Sequence, residues 1–295
     1  MFVIMGATGN TGSIAATALL DAGQKVRVIG RNAAKLAPFT SRGAESAIGD
    51  AADTAFLTAA FQGASGVYVM IPPDYAHADY AGRYAALAQA AATALGAAKI
   101  PRAVFLSSLG AQHATGTGPV TGLHRAEQEL SKVPGLALLI LRPGYFYENA
   151  YGNLGLIKHQ GINGGAIQPD VPVDMTGARD IGEAAARALV AGDWTGVAVR
   201  EVLGPRALTM REVTRAIGSA IGKPELAYVQ FPDADFAGAL VGAGFALPIA
   251  ESFVEMSHAI NDGRMSSVQG RGKAYAGTAT IEQFAEGFAQ AYAHA

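Results

Sequence analysis

Cysteine is absent from this chain of 295 residues, and charged residues are scarce. Without cysteine there can be no disulfide, no cysteine nucleophile and no cysteine-ligated zinc or iron–sulfur centre. Charged residues make up only 16% of the chain and the formal net charge is −2. These values argue against nucleic acid or an anionic membrane surface as the main partner. Because 50% of the residues are hydrophobic, intrinsic disorder is excluded as well.

Long hydrophobic runs are also missing. The longest apolar stretches, residues 84–98 and 236–249, are shorter than the ~20 apolar residues that a membrane-spanning helix needs. Met1 leads directly into an apolar segment with no basic region before it, so no secretory signal is predicted. We therefore expect a cytoplasmic protein with no membrane partner, which the lack of cysteine also suits.

The first 150 residues alternate short apolar runs with helical patterns. Strands are predicted at 2–5, 25–29, 46–48, 66–71, 103–107 and 136–141. Helices are predicted at 12–22, 54–61, 80–95 and 123–132. Continuous apolar strands that alternate with helices indicate a parallel sheet covered on both faces. The predicted fold class is therefore α/β, with a doubly wound parallel sheet of the Rossmann type.

The pattern changes after residue 150. A Gly-rich stretch at 152–165 is predicted to be irregular, and helices are predicted at 180–191, 209–221, 234–244, 251–261 and 280–293. Thr209 with Glu212 three residues later is a capping box for one of these helices. We divide the chain into a domain at 1–150 and a smaller, mostly helical region at 151–295. Part of that region, at about 175–205, is expected to return to the sheet.

A glycine motif directly follows the first predicted strand and opens the first predicted helix. Its spacing, G-x-x-G-x-x-G, is that of a turn that holds the pyrophosphate of a dinucleotide at a helix N-terminus. The alternative is an ordinary glycine turn, although the strand–turn–helix context favours the motif. The candidate cofactor-binding residues here are Gly6, Ala7, Thr8, Gly9, Asn10, Thr11 and Gly12.

The end of the second strand predicts which dinucleotide is bound. An NAD site usually has Asp or Glu there, to hold the ribose 2′-hydroxyl, but this chain has Arg31 followed by Lys35. Both cations suit the 2′-phosphate of NADPH, unless they are solvated surface charges. Asp50, after the third strand, is placed to meet the adenine amino group, or it is simply a turn residue.

Several segments together resemble a known family. They are the glycine motif, Arg31, the Leu-Arg-Pro-Gly-Tyr-Phe-Tyr-Glu-Asn stretch at 141–149 and Asp-Ile-Gly-Glu-Ala-Ala at 180–185. The chain resembles the NmrA-like family of atypical short-chain dehydrogenases/reductases over essentially its whole length. It is most similar to the bacterial NADPH:quinone oxidoreductases of that family. The resemblance implies an NADPH-dependent oxidoreductase, or an NADP(H)-binding redox sensor with little or no catalysis.

The Tyr-x-x-x-Lys pair that usually supplies the acid in short-chain reductases is missing. None of the tyrosines has lysine four residues later, and His124 falls where the resemblance places a lone lysine. Reduction of a quinone produces an aromatic oxyanion, which is far less basic than the alkoxide from a ketone. A positioned acid then matters less. The missing pair therefore favours a quinone-like, electron-poor acceptor.

The carboxyl ends of the strands are where an open α/β sheet binds its ligands. Further cofactor-binding candidates at this edge are Ile71, Pro72, Pro73, Ser107, Gly144 and Tyr145. Candidates for the acceptor side are Tyr145, Phe146, Tyr147, Asn149 and Phe236. The catalytic candidates are His124 and Tyr147.

Each of these candidates has a purely structural alternative. The aromatic residues 145–147 either line the acceptor site or pack the junction of the two regions, and 236–245 is either an apolar lid or an interior helix. His124 either contacts the nicotinamide ribose or relays a proton, or it is an exposed residue near a helix start. No histidine spacing indicates a metal site. The apolar helix faces are compatible with a homodimer.

Overall fold

The first half of the chain alternates strands and helices. The structure, a computed structural model, describes residues 1–294. The strands are β1 (Phe2–Ile4), β2 (Val26–Gly30), β3 (Glu45–Ile48), β4 (Gly66–Val69), β5 (Arg102–Leu106) and β6 (Ala137–Pro143). The helices are α1 (Asn10–Asp21), α2 (Ala33–Thr40), α3 (Thr54–Phe61), α4 (Tyr80–Ala97) and α5 (Val120–Ser131).

The second half is richer in short strands than the sequence indicated. Its strands are β7 (Tyr145–Phe146), β8 (Ile162–Gly165), β9 (Val173–Thr176), β10 (Val197–Leu203), β11 (Ala207–Leu208), β12 (Ala227–Gln230) and β13 (Tyr275–Ala276). Its helices are a 3-10 helix (Tyr147–Asn153), α6 (Leu154–Gln160), α7 (Ala178–Ala191), α8 (Met210–Ala220), α9 (Asp233–Gly242), α10 (Leu247–Asn261) and α11 (Ile281–His294).

Eight of these strands form one sheet in the order β13-β10-β6-β5-β4-β1-β2-β3. Every neighbouring pair in it is parallel. The predicted doubly wound parallel sheet is thereby confirmed. Strand order reverses between β1 and β4, so the loops that follow these two strands diverge. A crevice opens at such a point.

Helices cover both faces of the sheet. On one face α3, α4 and α5 pack into a core with residues such as Phe61, Leu95 and Leu130. On the other face lie α1, α2 and α7. Close approach of α1 to α7 requires Gly182, because a Cβ there would lie 2.6 Å from Cβ of Ile14.

Two local expectations were wrong. No helix was predicted between the second and third strands, but α2 forms there, with the Asn32 side chain accepting from the backbone N–H groups of Ala34 and Lys35. Residues 152–165 were expected to be irregular, but they contain α6 and β8. Glycines favour irregular structure only on average, and tertiary pairing of β8 with β12 overrides that tendency here.

A third core holds the C-terminal region together. It includes Ile217 of α8, Ile260 of α10 and Phe288 of α11, all buried. The capping box predicted for Thr209 and Glu212 is present at the start of α8. In contrast, α9 buries none of its residues and packs mainly on α10. Within residues 1–294, no helix is both long and apolar enough to cross a bilayer.

Candidate active site

The glycine motif forms a tight turn between β1 and α1. Gly6 has a φ of +65°, and the Gly9 N–H donates to the Gly6 carbonyl at 2.9 Å. A Cβ at Gly12 would overlap that carbonyl oxygen, and one at Gly9 would lie 3.3 Å from it. The turn is therefore closed to a side chain at Gly12 and leaves only a tight fit for one at Gly9.

The N-terminus of α1 is open to a ligand. Of the residues that the structure describes, none caps it with a side chain, and its first turn has no acidic residue. The first N–H groups of a helix lack intrahelical partners and attract anions. A phosphate seated at Gly9 and Asn10 would meet this need.

Beside the turn lies a cavity of about 350 Å³, here called the adenosine-side cavity. It is lined by Arg31 at the end of β2 and by Asp50 after β3. The Asp50 carboxylate also accepts from the Ala52 N–H at 2.8 Å, so its role as a turn residue is real. Lys35 lies on α2 and lines neither this cavity nor the larger one described next.

Arg83 is a cation that sequence analysis missed. It lies on α4 and lines the adenosine-side cavity together with Asp74, Pro72 and Pro73. Nothing near Arg83 in the sequence marks it, because it reaches the cavity only through the packing of α4 on the sheet.

A second cavity, of about 530 Å³, is here called the acceptor-side cavity. It shares Gly9, Met70 and Pro73 with the adenosine-side cavity, so the two adjoin at these residues and are together called the cleft. The predicted site residues that line it are Gly9, Asn10, Thr11, Ile71, Pro73, Ser107, Gly144, Tyr145, Phe146 and Asn149. Gly144 is necessary for its shape, because a Cβ there would lie 2.5 Å from the carbonyl oxygen of Asp174.

The residues of the glycine motif differ in their surroundings. Gly6 and Thr8 line the adenosine-side cavity, while Ala7 is fully buried in the core between the sheet and α1. Gly12 lines neither cavity and acts through packing. Thr11 is buried, and its hydroxyl accepts from the hydroxyl of Tyr68 at 2.8 Å.

Aromatic side chains form one wall of the acceptor-side cavity. Tyr75, Tyr80, Tyr84 and Phe253 line it. Tyr75 stacks on Phe245 with ring centroids 4.8 Å apart and planes 9° apart. The Tyr75 carbonyl also accepts from the Ala246 N–H at 2.8 Å, which ties the loop after β4 to the α9–α10 connection.

This aromatic wall was only partly anticipated. The sequence suggested an apolar lid over residues 236–245, and its last residue, Phe245, does contact the wall. Phe236 does not line the cavity; it lies near Gly165 on β8. Phe236 is therefore removed from the acceptor-side candidates.

Burial suppresses ionisation of the cavity tyrosines. It raises the pKa of Tyr75, Tyr80 and Tyr84, and the neighbouring tyrosines raise those of Tyr80 and Tyr84 further. Burial also raises the pKa of Tyr145, and a hydrogen bond with the Asn149 side chain partly offsets this. All four hydroxyls therefore keep their protons near neutral pH and can donate hydrogen bonds.

The structure does not bring Tyr147, a predicted catalytic residue, to the cleft. This residue is buried in the C-terminal core, where its hydroxyl donates to the carbonyl oxygen of Ala279 at 3.3 Å. It lines neither cavity. The 3-10 helix begins at Tyr147 and turns its ring away from the cleft that Tyr145 faces.

His124 is also outside the cleft. It lies on α5, and its Nδ1 is 2.8 Å from the carbonyl oxygen of Ala111. The neighbouring Val120 and Leu123 line the acceptor-side cavity, but His124 does not. The ring therefore anchors a loop in this arrangement, and contact of His124 with the nicotinamide ribose stays a prediction.

A buried charge network supports Ser107 at the cavity wall. Glu127 of α5 accepts from the Ser107 hydroxyl, and Arg142 of β6 donates to both oxygens of the same carboxylate. Nothing in the local sequence signals this network, because its members come from three elements. Across residues 1–294, no group of His, Cys, Asp and Glu side chains is arranged to hold a metal ion.

Comparison with known proteins decides the family. Residues 1–285 match the NmrA-like family. The chain belongs to this family.

Two curated relatives in bacteria are reductases. One is a (4-alkanoyl-5-oxo-2,5-dihydrofuran-3-yl)methyl phosphate reductase of Streptomyces griseus, 27% identical over 91% of this chain and 90% of the relative. The other is an NAD(P)H azoreductase of Xenophilus azovorans, 28% identical over 87% of this chain and 86% of the relative.

A solved structure of the same fold is the NADPH-dependent quinone oxidoreductase of Escherichia coli, crystallised with NADPH. It superimposes with a TM-score of 0.76 at 24% identity, covering 98% of this chain and 99% of that one. At 24% identity this similarity establishes a shared fold only.

Proposed function

We propose that the chain is an NADPH-dependent oxidoreductase that reduces a flat, electron-poor acceptor of the quinone type. The observation that carries this proposal is that the two cavities adjoin at Gly9, Met70 and Pro73, beside the N-terminus of α1. One end of this cleft carries cations, and the other has an aromatic wall. The names of family relatives, an azoreductase and a quinone oxidoreductase, support the same chemistry.

The residues present fit a bound dinucleotide phosphate. Within the turn, Gly9 lines both cavities, and Gly12 lets α1 pack closely on the Gly6 carbonyl. The uncapped N-terminus of α1 offers N–H groups to a pyrophosphate. Arg31 lines the adenosine-side cavity, where its guanidinium can form charge-assisted hydrogen bonds to a 2′-phosphate.

The cofactor, when bound, supplies the hydride, which carries two electrons to the acceptor. The aromatic wall of Tyr75, Tyr80 and Tyr84 excludes water and presents apolar surface to a flat ring. Tyr145, still protonated, is placed to donate a hydrogen bond to the acceptor oxygen on which negative charge develops. Solvent then supplies the proton that completes the hydroquinone. An aromatic oxyanion needs no stronger acid than this.

A direct assay tests the proposal. Purified protein is mixed with NADPH and, in separate reactions, with benzoquinone, naphthoquinone and an azo dye, and the loss of NADPH absorbance is followed. We expect oxidation of NADPH that depends on both protein and acceptor, with a lower Kd for NADPH than for NADH by calorimetry.

Tight NADPH binding without turnover of any acceptor would contradict the proposed activity. It would instead favour the NADP(H)-sensing alternative, for which a different affinity for oxidised and reduced cofactor is the expected sign.

A further inference from the structure

The hydroxyl proton of Ser107 is already used in a hydrogen bond within the protein. Its Oγ donates to Oε1 of Glu127 at 2.5 Å. Arg142 donates to the same carboxylate twice, from Nε to Oε1 at 2.9 Å and from Nη2 to Oε2 at 2.5 Å. Glu127 is only 2% exposed and Ser107 only 3%. This is a bidentate, charge-assisted pair held away from water.

The direction of the hydrogen bond follows from the charge. An ionised carboxylate only accepts, so the single hydroxyl proton of Ser107 points to Glu127. Ser107 lines the acceptor-side cavity, and its Oγ therefore offers only lone pairs to a ligand there. In this arrangement Ser107 cannot donate to the carbonyl oxygen of a quinone. It needs a ligand group that donates.

The backbone of Ser107 is fixed as well. Its N–H donates to the carbonyl of Leu141 at 2.8 Å, which continues the pairing of β5 with β6 beyond the end of β5. Glu127 approaches from α5, and Arg142 comes from β6. Three elements therefore hold one oxygen atom in place before any ligand arrives, which lowers the cost of ordering it on binding.

If the proposed function holds, the ligand brings one hydrogen-bond donor close to Ser107 Oγ. The cleft runs from the helix N-terminus at Gly9 and Asn10 into the cavity that Ser107 lines. A dinucleotide with its pyrophosphate at that N-terminus directs its nicotinamide into this cavity. The nicotinamide end carries a carboxamide, whose NH2 group donates hydrogen bonds, whereas a quinone carries only acceptor oxygens.

We propose that Ser107 accepts a hydrogen bond from the carboxamide NH2 of the nicotinamide, and that Glu127 and Arg142 are positioning residues that hold Ser107 in this role. The inference rests on the proposed function. The bond sets the rotation of the carboxamide and steers which face of the ring meets the acceptor. Ser107 thereby becomes a recognition residue for the cofactor and not a donor to the substrate.

The test compares two cofactors by equilibrium binding. Calorimetry measures the Kd of NADP⁺ and of its acetylpyridine analogue, in which an acetyl group replaces the carboxamide and no N–H remains. For the unaltered protein we expect the analogue to bind about fivefold more weakly, the effect of losing one neutral hydrogen bond. For Ser107→Ala we expect the two Kd values to agree within about twofold. Ser257→Ala is the matched control, because Ser257 is buried and its hydroxyl donates to the Phe253 carbonyl.

Glu127→Gln tests the positioning role. Its amide oxygen can still accept from Arg142, which leaves its NH2 facing Ser107 Oγ and frees the hydroxyl proton for the cavity. Ser107 then donates to the carbonyl that both cofactors share, so the Kd ratio should fall toward one although the serine remains. A purely structural role for Glu127 would weaken both cofactors alike and leave the ratio unchanged.

The outcomes separate this inference from the proposed function. An unchanged Kd ratio in Ser107→Ala, or a ratio of one in the unaltered protein, overturns the role of Ser107 while NADP⁺ binding itself stands. No binding of NADP⁺ by the unaltered protein overturns the proposed function as well. Should Glu127→Gln fail to fold, because Arg142 loses its carboxylate, Ser107→Ala still decides the matter.

Discussion

Tyr145 and Tyr147 are two residues apart and both pack in the C-terminal core, yet only Tyr145 also lines the acceptor-side cavity. Tyr145 lines the acceptor-side cavity, whereas the Tyr147 hydroxyl donates to the Ala279 carbonyl in the C-terminal core. Residues two apart in a strand face the same side, but β7 ends at Phe146 and a 3-10 helix follows. This change of backbone separates the two rings.

The two tyrosines form a matched pair of variants. Tyr145→Phe should lower kcat with a quinone by about tenfold or more, because a donor to the developing oxyanion is lost. Tyr147→Phe should leave kcat within about twofold, since its hydroxyl makes only one neutral bond far from the cleft. Steady-state kinetics with NADPH and naphthoquinone measures both. The reverse order of effects would return the catalytic role to Tyr147.

Two phenylalanines test the aromatic wall. Phe253 lines the acceptor-side cavity and packs edge-on against Tyr75, with ring centroids 5.4 Å apart. Phe253→Ala should raise KM for a bicyclic quinone about tenfold, because aromatic contact area is lost. Phe236→Ala, a change of the same size outside the cavity, should leave KM unchanged. Equal changes in both variants would argue against the wall as the acceptor site.

Arg31 should govern the preference for NADPH. Loss of a charge-assisted bond to the 2′-phosphate costs about 1.5–3 kcal/mol, so Arg31→Ala should weaken NADPH binding by about tenfold or more. NADH lacks that phosphate, and its affinity should stay within about twofold. Lys35→Ala is the control, because Lys35 lines neither cavity. A matching loss for NADH would show that Arg31 acts by packing.

Gly12 should not tolerate a side chain. In Gly12→Ala the new Cβ overlaps the Gly6 carbonyl oxygen, so α1 must shift away from the turn. We expect a loss of stability of about 1–3 kcal/mol, typical of overpacking, together with weaker NADPH binding. Urea unfolding and calorimetry measure the two effects.

Gly238→Ala provides the control for Gly12→Ala. Gly238 lies within α9, and a Cβ there meets nothing within 4 Å. Alanine is a better helix former than glycine, so this variant should gain up to about 1 kcal/mol of stability. Normal stability and NADPH affinity in Gly12→Ala would contradict the geometry of the turn.

Alkaline stability depends on Tyr147. Burial, helped by the carboxylates of Asp180 and Glu282 and opposed by Arg206 and Arg271, raises the pKa of Tyr147 from 10.0 to about 12. Because the folded pKa is the higher one, the stability that this shift contributes is fully present below pH ~10 and is lost as pH rises through about 12. The free energy of unfolding should therefore fall less steeply over this range in Tyr147→Phe. Parallel curves for the two proteins would contradict this assignment.

Features encoded within a few neighbouring residues were predictable from the sequence. The glycine spacing at Gly6–Gly12, the apolar strands and the Thr209–Glu212 capping box are all local patterns, and each predicts its own element. Because parallel strands need helical crossovers, the alternation of elements was enough to predict the doubly wound sheet. The lack of Asp or Glu beside Arg31 can likewise be read from neighbouring residues.

The composition of the cleft depends on contacts between distant segments. Arg83, Tyr75 and Phe253 come from separate parts of the chain and reach the cavities only when α4, the loop after β4 and α10 pack together. Tyr145 and Tyr147 are neighbours in the sequence and both pack in the C-terminal core, but only Tyr145 also lines the acceptor-side cavity. The Ser107–Glu127–Arg142 network likewise exists only across β5, α5 and β6. The sequence by itself determined the glycine turn and most elements of the first half, since these depend on neighbouring residues. Tertiary structure alone decided which side chains face the cleft, since that depends on packing between distant ones.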